Sequence, residues 1–177
     1  MATKRAAKKV KKKVAKAKAR PKAKKKPSLM ANVVTVTPYL CCKGATAALD
    51  FYKDAFGARE RTRMTAPDGR IGHAEIMVSG APIMLSDEWP EGSVSSPTTI
   101  GGTPVAIHLY VKDVDAFVAK ALAAGATSLG AIQDMPYGDR QSTILDPFGH
   151  RWMVATRKET VGKPLLRKRF GDAFKVT

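Results

Sequence analysis

Apolar and polar positions alternate along the chain in two series that share one plan, and the second series is the first displaced by 69 positions. Leu40, Lys43, Ala47, Ala55, Gly69, Gly80 and Met84 return as Leu109, Lys112, Ala116, Ala124, Gly138, Gly149 and Met153. In the first series Val33–Cys42 alternates and is rich in β-branched residues, which predicts a strand. Apolar residues at 48, 49, 52, 55 and 56 then take helical spacing, and Gly57 supplies a stop. Glu60–Thr65, Ile71–Val78 and Pro82–Asp87 follow as strands, separated by turns at Pro67-Asp68-Gly69 and Ser79-Gly80. The second series predicts a strand at Val105–Val111, a helix at Val114–Ala124 capped by Asp113 and stopped by Gly125, and strands at Thr127–Gln133, Arg140–Asp146 and Arg151–Thr156. Each series is a βαβββ unit, and duplication implies that one copy cannot bury its apolar face alone.

Around this core the reading assigns a disordered tail to residues 1–30 and a globular domain to 31–160. Within the domain, repeat one is 33–88, a Gly/Ser/Pro/Thr-rich linker is 89–103 and repeat two is 104–157; residues 161–177 form a basic C-terminal extension. Charge sharpens that division. The net charge is +16, yet residues 1–27 hold 12 Lys and 2 Arg with no acid, so the remainder is close to neutral. A tail of Lys, Ala, Val and Pro without aromatic residues cannot bury enough apolar surface to order itself. Its lysines, among them Lys8, Lys9, Lys11, Lys12, Lys13, Lys24, Lys25 and Lys26, can neutralise phosphates without reading sequence. It lacks the apolar run of a secretory signal, and no segment approaches the roughly 18 apolar residues of a membrane span. The expectation is a cytoplasmic protein with no membrane partner, with nucleoid association open through the tail. The adjacent Cys41 and Cys42 are a poor basis for a disulfide and fit a reducing compartment.

Several motifs share one resemblance. Pro38-Tyr39-Leu40, Asp50-Phe51-Tyr52 with Phe56-Gly57-Ala58, Gly72-His73-Ala74-Glu75, Leu109-Tyr110-Val111 with Asp113-Val114-Asp115, Tyr137-Gly138-Asp139-Arg140 and Asp146-Pro147-Phe148-Gly149-His150 together resemble the vicinal oxygen chelate superfamily, PhnB-like branch. That superfamily includes glyoxalase I, bleomycin-resistance proteins, fosfomycin-resistance enzymes and extradiol dioxygenases. The resemblance spans about Val34 to Lys158. It implies an α+β fold of two tandem βαβββ modules with curled mixed sheets, and a homodimer. In metal-dependent members four inward His or Glu residues hold a divalent cation; the matching positions here are Thr37, Met84, Ala106 and Met153. None is a usual ligand, so the resemblance implies no metal and no cofactor at that position.

Strand parity then predicts which side chains face the cups. Thr37, Tyr39 and Cys41, with Pro82, Met84 and Ser86 and with His73, Glu75 and Met77, point inward in repeat one. Ala106, His108, Tyr110, Arg151, Met153 and Ala155 do so in repeat two, and repeat symmetry adds Arg140 and Ser142. The expected ligand pocket is therefore Tyr39, His73, Glu75, Met84, Ser86, His108, Tyr110, Arg140 and Met153. Plainer alternatives stand beside it. Met84 and Met153 could be ordinary core, His108 a wall residue with one hydrogen bond, and Glu75 and Arg140 an ion pair. His73-x-Glu75 could join His108 in a two-His, one-carboxylate set. His150 reads as exposed in a turn, and Asp146-Pro147-Phe148-Gly149 as turn chemistry. Catalytic residues are not assigned, since Cys41 is the sole inward thiol and no base is visible beside it. The leading function is metal-free binding of a small organic ligand in the cups. The alternatives are an enzyme of lyase, isomerase or dioxygenase type using His and Glu with an unusually placed metal, and a nucleoid-associated protein.

Overall fold

The computed structural model describes residues 36–177. The tail with its eight named lysines, and the predicted strand start at 33–35, lie outside the described residues. Strand β1 is Tyr39–Cys42, shorter than predicted. Pro38 has no N–H to extend the ladder, although its carbonyl still accepts from Met84 N at 2.9 Å. Helix α1 follows at Ala45–Phe56, then β2 at Arg59–Thr65, β3 at Ile71–Val78 and β4 at Ala81–Asp87. These strands make a sheet in the order β1-β4-β3-β2, with β1 and β4 parallel. The linker carries a short helix α2 at Pro97–Ile100. Module two has β5 at Ala106–Tyr110, α3 at Val114–Ala123, β6 at Thr127–Ser128, β7 at Gln133–Asp134, β8 at Asp139–Leu145 and β9 at Arg151–Arg157, with sheet order β5-β9-β8-β6 and β7 also on β8. A basic helix α4 spans Lys163–Phe170.

The duplicated plan is thus realised, with one difference in the second copy. The single strand predicted at Thr127–Gln133 is split into β6 and β7, because the chain leaves β8 at Gly130, whose carbonyl takes the Ser128 and Ser142 hydroxyls at 2.7 and 3.0 Å. Among the described residues, no helix is long and apolar enough to cross a membrane.

The helix of each repeat, α1 and α3, starts on a carboxylate. Asp113 accepts from Ala116 N at 3.1 Å, as its position in the pattern predicts. Helix α1 begins after Gly44, which has no capping side chain, so Asp87 at the end of β4 substitutes. Its carboxylate accepts from Gly44 N, Ala45 N and Ile71 N at 3.1, 2.7 and 2.7 Å. That one buried group seats helix, sheet end and the start of β3 together.

One face of each sheet packs on the helices, and the two modules share one core. Ala74, Ile76, Val78, Ile83 and Leu85 of sheet one, Ile144, Trp152 and Val154 of sheet two, and Leu49, Tyr52 and Phe56 of α1 all belong to it. Phe56 meets Trp152 edge-on at 4.8 Å and Phe117 of α3 at 4.9 Å, so aromatic packing joins the copies. At its centre lies Asp146, 3% exposed. Its Oδ2 accepts from Tyr52 Oη at 2.7 Å and Trp152 Nε1 at 2.8 Å, and its Oδ1 from Phe148 N at 3.0 Å and His150 N at 2.9 Å. The segment 146–149 is therefore more than a turn: Tyr52 reaches it from the other repeat. Pro97 of the linker is seated on the same hairpin, where Gly149 has φ +86° and a Cβ would stand 2.9 Å from Pro97 Cβ.

Replacing Asp146 by Ala strands a buried phenol and a buried indole N–H, so Asp146→Ala is expected to lower stability by about 3 kcal/mol or more. Guanidinium unfolding followed by tryptophan fluorescence measures this, and an unchanged midpoint would remove Asp146 from that role.

Candidate functional site

The sheet faces turned away from the helices stay open, and they carry most of the expected pocket. On sheet one, cross-strand register sets Tyr39 beside Met84 and Met84 beside Glu75, with His73 two residues earlier on the same face of β3. Tyr39 Oη lies 3.1 Å from His73 Nδ1, and His73 Nε2 lies 3.7 Å from Glu75 Oε1. Glu75 also meets Arg61 Nη1 at 3.8 Å. This row of polar groups crosses a surface of thioethers, with Met77 and Met84 half-buried and Met64 63% exposed. Arg61 was hidden from parity because register shifts between Glu60 and Thr62, a bulge that re-aims its side chain. Ser86 has the expected parity but is 3% exposed, and its hydroxyl donates to Asp87 O at 3.0 Å.

On sheet two, His108, Tyr110 and Met153 share the open face, His108 paired in register with Met153. The His108 side chain makes no hydrogen bond among the described residues and instead packs against Tyr110, the rings tilted by 47° with centroids 4.7 Å apart. Tyr110 Oη donates to the buried Asp139 carboxylate at 2.8 Å, and Arg157 pairs with the same carboxylate. Tyr110 and Arg157 border an open cleft of about 810 Å³ with Val111, Lys112, Thr156 and, from the other module's hairpin, Ser79.

Arg140 and Ser142 are corrections. Met84 lies nine positions after its neighbour Glu75, but Met153 lies ten after Thr143, so the 146–150 hairpin is one residue longer than its counterpart. One residue inverts strand parity. Thr143, not Ser142 or Arg140, therefore faces the open side with Met153, while Ser142 pairs with core residue Val154. Arg140 binds Asp115 at 2.8 Å through two nitrogens and Asp134 at 3.3 Å, so it makes no pair with Glu75. Nor do His73, Glu75 and His108 meet: among the described residues no group of three or more His, Cys, Asp or Glu side chains could hold a metal. At the positions matching metal ligands, Thr37 offers a hydroxyl, Met84 and Met153 thioethers and Ala106 nothing, a donor set that does not fit a divalent cation.

His150 is the other correction, for it is 8% exposed rather than on the surface. Its Nε2 lies 3.0 Å from Cys41 O and 3.7 Å from Cys42 Sγ, so the β8–β9 hairpin closes on β1. Burial pushes the imidazole below its usual range, against the opposing pull of Asp146 and of the Cys41 carbonyl. Both cysteines are free. Burial, with the Glu88 and Asp87 carboxylates, pushes Cys41 up to about 11; burial raises the Cys42 thiol further. Neither is a ready nucleophile.

A partly open space lies where β1 and β5 approach. It measures about 330 Å³ and is walled by Leu40, Cys41, Ile100, Val105, Ile107 and Arg151, among others.

A family model for the glyoxalase/bleomycin resistance protein/dioxygenase superfamily matches residues 32–154. The chain belongs to this superfamily. An uncharacterized protein of Mycobacterium tuberculosis strain H37Rv is 46% identical over 122 residues, which are 67% of this chain and 72% of that protein. The structure is similar to TioX from Micromonospora, at 28% identity and TM-score 0.57, covering 71% of this chain and 99% of TioX. It shares its fold with the PhnB protein from Bacillus cereus, at 17% identity and TM-score 0.54 over 70% of this chain and 99% of that one.

Two measurements follow from the titrating groups. The folded protein disfavours protonated His150, whereas an unfolded imidazole titrates at about 6.5. Below that pH only the unfolded chain gains the proton, so stability is lost as pH falls from about 6.5 toward the depressed folded value. Urea midpoints at about pH 7.5 and about pH 5.5 should differ less in His150→Gln than in the wild type, and equal differences would contradict this. Iodoacetamide at about pH 8 should modify Cys41 at least about tenfold more slowly than free glutathione, as read by mass spectrometry. A comparable rate would place the thiol in the solvent.

Proposed function

We propose that the protein binds a small organic molecule on its open sheet faces without using the superfamily's metal position, each face being completed by a second copy in a homodimer. The observation that carries this reading is the substitution of Thr37, Met84, Ala106 and Met153 for ligands in the middle of surfaces made of tyrosine and thioether side chains. Tyr39 and Tyr110 are 52% and 48% exposed in one chain, which is apolar area left for a ligand or a partner to cover. Polar groups on these faces, Tyr39, His73, Glu75 and Arg61 on one and His108, Tyr110, Gln141 and Thr143 beside the paired Asp139 and Arg157 on the other, can orient a bound molecule. Methionine adapts its shape to irregular ligands, which suits sequestration of a bulky compound.

Thermal-shift screening of aromatic metabolites and bleomycin tests the reading. A ligand at one hundred times its dissociation constant adds about 2.7 kcal/mol. Stabilisation by at least one compound is expected, with loss in Met84→Glu or Met153→Glu. Stabilisation by manganese, nickel or zinc instead, or indifference of ligand binding to both substitutions, would overturn it. Sedimentation at tens of micromolar should show a dimer.

A second activity rests on charge alone. We propose that residues 1–27, with 14 basic side chains and no acid, bind nucleic acid without sequence preference. Anisotropy titration of labelled duplex DNA should show affinity falling steeply with salt in the full chain and nearly vanishing when these residues are deleted. Equal binding by both forms would locate the DNA surface elsewhere.

A further inference from the structure

Arg151 is an exposed arginine whose side chain has no partner among the described residues, and it stands at the edge of an apolar slot. Most of its counterparts are engaged: Arg61 with Glu75, Arg63 with Glu60, Arg70 with Asp68 and Glu91, Arg140 with Asp115 and Asp134, and Arg157 with Asp139. Arg151 opens strand β9 at the junction of two spaces. One is the 330 Å³ cavity between β1 and β5; the other, of about 400 Å³, continues past Pro97, Gly102 and Thr103 toward Leu129 and Leu145. Arg151, Pro97, Gly102 and Thr103 are in the walls of both.

The remaining lining describes what a guest must look like. Pro38, Leu40, Ile100, Val105 and Ile107 make the first cavity an apolar slot, and Ile100 and Val105 are 65% and 64% exposed at its rim. No Asp or Glu lines either space. The carboxylates nearest β1 are committed elsewhere, Asp87 to three backbone N–H groups and Glu88 to Ser96 N at 2.7 Å. His150 in the same wall is buried on Cys41 O and is held toward its neutral form. Arg151 is therefore the one fixed charge lining the slot. Half-buried Ser95, also in this wall, has a hydroxyl with no hydrogen-bond partner among the described residues. A guanidinium fork and a free hydroxyl at the edge of an apolar slot match a carboxylate attached to an apolar body.

We propose that this slot is a binding site for small apolar monocarboxylic acids, with Arg151 pairing the carboxylate, Ser95 donating to it and the hydrocarbon part lying between β1 and β5. The slot adjoins the open face of sheet one, sharing Tyr39 with it, but reaches neither Met84 nor Met153.

Calorimetric titration of the full chain with naphthalene-2-carboxylate, decanoate and the uncharged naphthalene-2-carboxamide tests it. One or both acids are expected to bind, and the amide about tenfold or more weaker than the naphthoate. Arg151→Gln should remove that preference, Arg151→Lys should restore part of it, and Val105→Asp, which places a competing carboxylate at the rim, should block the acids. Since the Arg151 side chain makes no hydrogen bond or ion pair among the described residues, its variants should melt with the wild type. Met84→Glu should leave acid binding intact, so failure here and failure of the open-face reading separate. Absence of binding by both acids at millimolar concentration, equal binding of acid and amide, or indifference to Arg151→Gln would each overturn the proposal.

Discussion

The carboxylate of Asp146 is the constraint on which the arrangement of the two repeats depends. A buried charge is tolerated only when its hydrogen-bonding capacity is filled, and here four donors fill it. Two are backbone amides of its own hairpin, which shape that turn. Another, Trp152, belongs to the adjacent strand, and the last, Tyr52, comes from the helix of the other repeat. The same group therefore fixes a local turn and the docking of one module on the other. Asp87 does related work in the first module, tying the start of α1 to β3. The aromatic cluster of Phe56, Phe117 and Trp152 then supplies apolar burial that polar pairing cannot.

With one face of each sheet consumed by that shared core, the opposite faces are left for chemistry. What they carry differs between modules. Sheet one presents a polar row from Tyr39 through His73 and Glu75 to Arg61 across thioethers. Sheet two presents His108 packed against Tyr110, with Tyr110 and Arg157 anchored on Asp139. Duplication preserved the scaffold, whose requirements are the same in both copies, and let the open faces diverge. Between the modules, closure of the 146–150 hairpin over β1 through His150 creates a slot that neither copy has by itself.

Where the sequence misled, the physical cause was local in each case. Arg140 and Ser142 were placed by repeat symmetry, and one additional residue in a hairpin inverted the face of β8. Arg61 escaped because a bulge interrupts alternation without any composition signal. His150 follows a Gly in a polar turn and looks exposed, but the turn is folded under β1. No periodicity reports a contact between residues 109 positions apart.

The sequence by itself determined the two βαβββ units, the helix caps at Asp113 and Gly57, the core faces of β3, β4 and β9, and the side chains standing at the superfamily's metal positions. Those features rest on interactions between near neighbours, on strand parity and on residue identity, all of which are written along the chain. The tertiary structure alone decided that Tyr52 and Asp146 meet, that His150 is buried, that β8 turns Thr143 outward, and that Arg151 borders an apolar slot without a partner. Each of these depends on how distant segments pack, and packing is set by the sum of all contacts, so no single stretch of sequence contains it.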